Sequence, residues 1–492
     1  MLEGLAGLWI PLSDPFLILL IAAGTFAGIY VGAIPGLSVT MAVSLLISFT
    51  FSWDMFNALA LMTGVFAGGV YGGSRSAILL NIPGAPAAIA TSFDGYPLAK
   101  LGLAGETIGT ATIQSFLGGM IGLLIMVFAT PLMSQTALAF APRDYFLIAS
   151  MGLLLIGSLG GNTPLKGILM GLMGVILGLT GMDPFSGEGR FTFGSLALMG
   201  GIDYVVAMIG LFGVSEAISQ IELVGRPIIR QKLDRIIPLW SETIRHIPLS
   251  LRASAIGAFI GALPGAGGDI AALLAYDHAR RIVKKPQRPF GEGAIEGVIA
   301  PEAANNAAVG GAFIPMLTLG IPGDSVTAVI LGALFIHGLR PGPLMMSEKP
   351  EIFWFFVSAL FLSNIFMLIF GLMGVRVFSR IVEIPKQWII PTILVLSMIG
   401  AYAIRGRYLD LVLVVIFGVV GYALKQNGYP TGPVILGMIL GPMIDSNFRR
   451  AALSAGSLIG VLGEIFTNPI SLVLFTAIAL LLFSGIRLRK RL

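Results

Sequence analysis

The residues best able to do chemistry in this 492-residue chain sit beside Pro-Gly pairs, inside long apolar runs. The run Pro301-Glu302-Ala303-Ala304-Asn305-Asn306 sets a carboxylate and two adjacent amides among alanines. Such groups are costly in a membrane unless they bind something, so Asn305 and Asn306 are expected to contact an ion or a substrate. Glu302 is a candidate for cation coordination or proton coupling, against the plainer reading of an acid at a helix start. Asp269 and Asp324 each follow a broken segment and either coordinate a cation or cap the next helix. Thr318 joins them as a candidate cation ligand. The hydroxyls and amides of Ser38, Thr40, Ser74, Asn81, Thr91 and Ser325 can complete a shell around either ion or substrate. Arg75 either meets a substrate carboxylate with both arms or is held inside the protein or snorkels.

Four Pro-Gly pairs punctuate the same regions: Pro35-Gly36, Pro83-Gly84, Pro264-Gly265 and Pro322-Gly323, with Gly267 close behind the third. Proline removes a donor, and glycine permits backbone angles closed to other residues. A helix broken within a membrane exposes N–H groups at one new end and C=O groups at the other. The N–H end favours carboxylate or phosphate, and the C=O end favours a cation. These residues are therefore expected to line a solute site. For Gly72, Gly73, Gly310 and Gly311, close helix packing is an equally good account.

The elements that hold them must be membrane helices. The chain is 56% hydrophobic and 11% charged, where a soluble protein carries about 25% charged residues. Its apolar stretches are continuous rather than alternating, which excludes a β-barrel pattern. At roughly 20 residues per span, they predict ten to twelve membrane segments in an all-α polytopic protein. There is no cysteine, so disulfides and thiolate metal sites are excluded. Met1-Leu2-Glu3 lacks the basic start of a cleaved signal, and the first span is expected to be retained. The net charge of +5 records topology rather than nucleic-acid binding, because the basic residues fall between apolar runs.

Eleven of the thirty Lys and Arg residues lie between Arg226 and Arg288, in two clusters. Both are expected in the cytoplasm by the positive-inside bias. Residues 253–279 then leave the cytoplasm and return to it, which predicts a re-entrant hairpin with its tip at Leu263-Pro264-Gly265-Ala266-Gly267-Gly268. Irregular backbone at that depth must be buried in protein or line a watery cavity.

The motifs recur. Gly32-Ala33-Ile34-Pro35-Gly36 returns as Gly261-Ala262-Leu263-Pro264-Gly265, and Gly72-Gly73 followed by Ile82-Pro83-Gly84 returns as Gly310-Gly311 followed by Ile321-Pro322-Gly323, at offsets of 229 and 239 residues. Two ordered matches predict two homologous, inverted repeats: residues 1–224 and 253–492, joined by a basic cytoplasmic connector at 225–252. Duplicated halves with interrupted helices point to a secondary-transporter site.

Enzyme readings find little support. The chain lacks a Walker A loop and an H-E-x-x-H helix, and His246, His278 and His337 are scattered. Tyr276-Asp277 and Gly267-Gly268-Asp269 hold the residues of intramembrane aspartyl proteases in reversed order and too close together. The rival readings are an anion channel and a non-transporting membrane scaffold.

At Gly32 to Gly36, Tyr71 to Pro97, Leu263 to Gly268 and Gly293 to Gly342, the last holding PEAANN and GIPG, the sequence resembles the TctA family. These are the large membrane subunits of tripartite tricarboxylate transporters. The resemblance runs from about Phe16 to beyond Gly441. It implies a permease of the bacterial inner membrane, driven by a Na⁺ or H⁺ gradient and needing no cofactor. A periplasmic TctC-like binding protein would deliver citrate or another di- or tricarboxylate, and a small TctB-like membrane subunit would complete the assembly. Arg75 stands where relatives are expected to carry a small polar residue, which would mark specificity.

Overall fold

A chain with too few charges for a water-facing surface must satisfy its backbone within helices, and the computed structural model of the protein is built that way. It describes residues 2–34, 37–81, 84–159, 164–221, 235–375 and 386–489. Among the described residues the strands are one short antiparallel pair, Gly181–Met182 with Gly189–Arg190; all other regular structure is helical. The protein is all-α and polytopic, as its composition implies.

Among the described residues five helices are long and apolar enough to cross a membrane: Pro15–Ala33, Met55–Leu80, the kinked Ala88–Ala137, Pro350–Met373 and Tyr408–Gln426. Leu458–Thr467 and Pro469–Leu480, bent by 98°, make a sixth if taken together. Further apolar helices of 10–17 residues, such as Val39–Thr50 and Ser325–Ile336, reach about half the hydrocarbon core at 1.5 Å per residue. The segments expected from hydropathy are thus a mixture of full spans and half-spans.

Ten helices surround the breaks: α1 (Pro15–Ala33), α2 (Val39–Thr50), α3 (Met55–Leu80), α4 (Ala88–Leu98), α5 (Ala104–Ala137), α6 (Trp240–Gly261), α7 (Gly267–Ile282), α8 (Glu296–Leu319), α9 (Ser325–Ile336) and α10 (Pro350–Met373). Helix α8 is the axis, with every one of its residues buried. Small residues allow this. A Cβ on Gly118 or Gly122 of α5 would overlap the carbonyls of Ala303 and Ala307, and one on Gly257 or Gly261 of α6 would overlap those of Ala304 and Ala308. Helix α1 meets α3 in the same way, with Gly24, Gly28 and Gly32 seated on the carbonyls of Leu61, Val65 and Gly69. Without a hydrophobic effect in lipid, such close van der Waals contact is what holds helices together.

Residues 240–282 form the helix–turn–helix expected around Pro264. Its first arm begins at Trp240, thirteen residues before position 253, so it takes in the end of the basic connector. Gly265 (φ 76°) and Gly267 (φ 64°) are left-handed at the tip, which is why glycine is needed there. The ends of α3 and α8 match one another. Helix α3 stops at Asn81 (φ 55°) and α8 at Gly320 (φ 69°), both left-handed. Each of these residues precedes an Ile-Pro-Gly triplet and then a shorter helix.

Candidate functional site

The broken segments of the two halves meet. Helix α2 starts from Ser38, whose hydroxyl accepts from the Met41 N–H at 3.0 Å. Helix α9 starts from Asp324, whose carboxylate accepts from the Thr327 N–H at 2.7 Å while Thr327 Oγ1 accepts from the Asp324 N–H at 2.9 Å. One residue into α9, the Ser325 hydroxyl accepts from Thr40 Oγ1 of α2 at 3.3 Å, across 285 positions of sequence. The N-termini of two half-helices therefore converge, and both ends carry partial positive charge.

The hairpin tip closes this junction from the side. A Cβ on Gly267 would lie 3.3 Å from Asp324 Cβ, and one on Gly268 would overlap Asn305 Oδ1. Asn305 in turn donates to the Val70 carbonyl of α3 at 3.3 Å. Asp269 lies against the Ala87 backbone, near enough to Asp324 for their charges to repel, yet it is exposed while Asp324 is half-buried. Gly84 donates to the Gly73 carbonyl at 3.3 Å and packs on the Gly32 carbonyl. Gly323 packs on the Gly261 carbonyl, and Pro264 reaches Gly152 in the helix Pro142–Leu159. The junction thus combines helix N-termini suited to an anion with the oxygens of Asp269, Asp324 and Asn305 suited to a small cation. Among the described residues no three acidic, His or Cys side chains gather as they would for a tightly held metal.

Glu302 lies deeper, 1% exposed. Its Oε1 accepts from Thr91 Oγ1 of α4 at 2.5 Å and its Oε2 from Ser115 Oγ of α5 at 2.8 Å. Ser74, which donates to the Tyr71 carbonyl at 2.7 Å, adds a third hydroxyl beside it. Asn306 binds back along α8, its Nδ2 donating to the Glu302 carbonyl at 3.0 Å. Glu302 is therefore no surface acid at a helix start but a carboxyl ringed by hydroxyls from three other helices.

Some of the expected residues lie elsewhere. Thr318 donates to the Ile314 carbonyl at 2.7 Å within its own helix, and Asn81 is exposed at the end of α3. Arg75 is 3% exposed and held internally. Its Nε and Nη2 donate to the Tyr71 hydroxyl at 3.1 and 2.9 Å, and Nη2 to the Gly371 carbonyl at 2.6 Å. Pro35, Gly36 and Pro83 lie outside the described residues.

Sequence reasoning marked Asp94 only as part of the polar patch Asp94-Gly95-Tyr96-Pro97, with no role, and passed over Asn364. Asp94 Oδ1 accepts from the N–H groups of Gly291, Gly293 and Ala294 at 2.8, 2.9 and 2.8 Å, and Oδ2 from the Tyr276 hydroxyl at 2.9 Å. It clips α4 to α7 and to the loop before α8. Asn364 is a buried amide within the apolar span α10; its polarity in such a run was the available signal.

Spanning helices with polar groups gathered at interior helix breaks define a membrane transport protein. The chain belongs to the tripartite tricarboxylate transporter TctA family, whose profile matches residues 18–436. It is thus one subunit of a tricarboxylate transporter that works with partner subunits. An uncharacterized 52.8 kDa protein in the TAR-I ttuC' 3'region of Agrobacterium vitis is 35% identical over 452 residues, 91% of this chain and 89% of that protein. An uncharacterized protein in the TAR-II ttuC' 3'region of the same organism is 36% identical over 215 residues, 44% of this chain and 87% of that protein. No solved structure matches.

Proposed function

We propose that this chain is the permease of a cation-coupled secondary transporter that imports di- or tricarboxylates across the bacterial inner membrane. The observation that carries this reading is the meeting of α2 and α9, with Thr40 and Ser325 in contact at 3.3 Å. Two half-helix N-termini turned toward one point favour an anion with more than one carboxylate. Ser38, Thr40 and Ser325 supply hydroxyls to it, and the helix breaks at Pro264-Gly265 and Pro322-Gly323 supply backbone groups. Asp269, Asp324 and Asn305 supply oxygens for a coupling ion, Na⁺ or H⁺, which offsets the charge of the incoming substrate. A periplasmic TctC-like protein delivers the substrate and a small TctB-like membrane subunit completes the complex. The two halves act as inverted repeats, and the unit carrying both broken regions moves past a static scaffold in an elevator-like cycle.

The test is uptake into proteoliposomes with the cognate binding protein, scanning carboxylates with and without Na⁺ and H⁺ gradients. Uphill accumulation of a di- or tricarboxylate is expected. Flux that only equilibrates, whatever the gradient, would make the protein a channel; neither binding nor movement of solute would make it a scaffold. Asn305→Ala is expected to lower uptake roughly tenfold, the loss of about 1.4 kcal/mol of polar contact, with membrane insertion unchanged. Wild-type kinetics in that variant would remove Asn305 from the site.

A further inference from the structure

The reading above gives Glu302 no part, and the atoms around it report its charge. Its carboxyl is 1% exposed, on a helix whose every residue is buried. Thr91 Oγ1 and Ser115 Oγ meet its two oxygens at 2.5 and 2.8 Å. Ser74 of α3 stands beside the same carboxyl, but its single O–H goes to the Tyr71 carbonyl at 2.7 Å. Toward Glu302 the Ser74 oxygen can then only accept. An ionised carboxylate has nothing to donate to it, whereas a carboxylic acid has one O–H. Asp94 shows the opposite shell: its described partners are all donors, three of them backbone N–H groups, and a carboxylate suits it. The surrounding charges agree. The helices packed against α8 carry Arg75 on α3, Asp94 on α4, Glu106 on α5, His246 on α6 and Asp269 on α7. Among the described residues none forms an ion pair with Glu302. Arg75 is bound to Tyr71 and Gly371, His246 is paired with Glu296, and Glu106 with Arg235. An ionised Glu302 would be a buried charge with no cation to meet it, which is strongly unfavourable.

The junction lies one turn away along two helices. Asn305, against Gly268 at the hairpin tip, is the next turn of α8 after Glu302. Ala87, whose backbone meets the exposed Asp269, lies one turn before Thr91. Each step is about 5.4 Å of helix. Thr91 is placed to pass a proton across that gap, since a hydroxyl accepts on one side and donates on the other. We infer that Glu302 is the group that binds a proton carried with the substrate, loaded and unloaded by way of Asp269 and Thr91. The step is a protonation alone. The carboxylate takes an H⁺ when the junction faces the periplasm, and the acid gives it back when the junction faces the cytoplasm; only an O–H bond forms and breaks. Asp324 and Asn305 stay free for any further ion. The inference rests on the coupled-transport reading above and names H⁺ as a coupling ion with its own residue.

Two measurements on the full-length protein test it. Infrared spectra at neutral pH in detergent are compared between wild type and Glu302→Gln. A protonated-carboxyl band is expected in the wild type and not in the variant; loss of a carboxylate band instead would overturn the inference. In proteoliposomes with the binding protein, uptake driven by a pH gradient, acid outside, is set against gradient-free exchange of labelled for unlabelled substrate. The probe is citrate, or the di- or tricarboxylate that the uptake scan above shows to be carried instead. Glu302→Gln keeps one donor and one acceptor, as the acid does. It is expected to exchange within about twofold of wild type and to lose gradient-driven uptake by about tenfold or more. Thr91→Val is expected to slow gradient-driven uptake about tenfold with exchange unchanged, and Thr91→Ser to restore it. Should Glu302→Gln fail to fold, the two Thr91 variants carry the test. Wild-type gradient-driven uptake in Glu302→Gln or Thr91→Val would overturn the inference. Exchange lost together with uptake in a folded Glu302→Gln protein would make Glu302 a structural acid and overturn it too. Uptake driven by Na⁺ and indifferent to pH would also overturn it, yet leave the coupled permease standing. Failure of uphill uptake under every gradient counts instead against the transport reading; an acid band lost in Glu302→Gln would still place the proton on Glu302.

Discussion

Two buried carboxyl groups are held here in opposite ways, one by donors fixed in the fold and one by hydroxyls that can rotate. Asp94 is ringed by three backbone N–H groups and a tyrosine hydroxyl, donors fixed by the fold; Glu302 is ringed by hydroxyls, which rotate and either donate or accept. Asp94→Asn puts an NH2 group among donors and is expected to cost roughly 2–3 kcal/mol. Tyr276→Phe, losing one hydrogen bond, is expected to cost about 1 kcal/mol. Unfolding midpoints in detergent check the order, and an Asp94→Asn protein as stable as wild type would show the clip to be idle. A third acid makes a pH-dependent contact where the basic connector enters α6. The ion pair with Glu296, whose Oε1 lies 3.6 Å from His246 Nε2, raises the His246 pKa against the opposing effect of burial. Its folded value lies above the unfolded one of about 6.5. The contact therefore stabilises fully below about pH 6.5 and is lost as pH rises through the folded value. His246→Gln is expected to flatten the stability profile above pH 6.5; an unchanged slope would sink the assignment. Asn305, Asp269 and Asp324 were legible as chemistry because polar groups in apolar runs stand out. Thr91 and Ser74 stood out as polar candidates, but their pairing with Glu302 did not, and Ser115 was missed altogether, since the partners come from 187 and 211 positions away and a lone Ser or Thr is cheap anywhere in a helix.

For whole helices the question left open by the sequence was whether paired glycines pack or function. At Gly72, Gly310 and Gly311 they pack: a Cβ would overlap or crowd the backbone of Ile29, Gly122 and Ala258 respectively. Spacing alone could not decide this, because a small-residue stripe looks the same whether a helix or a solute lies against it. The breaks themselves were legible, since Pro-Gly cannot continue a helix, and the left-handed ends at Asn81 and Gly320 follow from the same chemistry. The start of the hairpin was not. Residues 240–252 carry enough charge to read as a connector, yet they continue α6, since Arg and Glu are good helix formers in water. Gly28→Val and Gly261→Val are expected to force α1 from α3 and α6 from α8, costing at least about 2 kcal/mol by overpacking. Gly463→Ala, where nothing lies within 4 Å of the added carbon, should stay within about 0.5 kcal/mol. Equal stability of all three proteins would mean that these crossings are not what holds the bundle.

In the molecule as a whole, segments 285 residues apart are brought to one junction, and the proposed cycle makes a specific demand on it. If the broken regions travel as one unit, Thr40 on α2 and Ser325 on α9 keep their 3.3 Å contact throughout transport. Pro264 and Gly152, whose Cβ positions lie 3.1 Å apart, belong to different units and must part. The chain has no cysteine, so pairs can be introduced one at a time, and both separations are within reach of a disulfide with small adjustment. Oxidised Thr40→Cys/Ser325→Cys protein is expected to keep transporting. Oxidised Gly152→Cys/Pro264→Cys protein is expected to stop, and to recover when dithiothreitol reopens the bond. Arrest by the first bridge would mean that α2 and α9 separate during the cycle, as gates of an alternating pocket do. Continued transport through the second would mean that the hairpin tip never leaves the helix Pro142–Leu159, and an elevator would be excluded. The two bridges thus separate motion of the site from motion around it, because the junction proposed to bind the anion must then be carried whole.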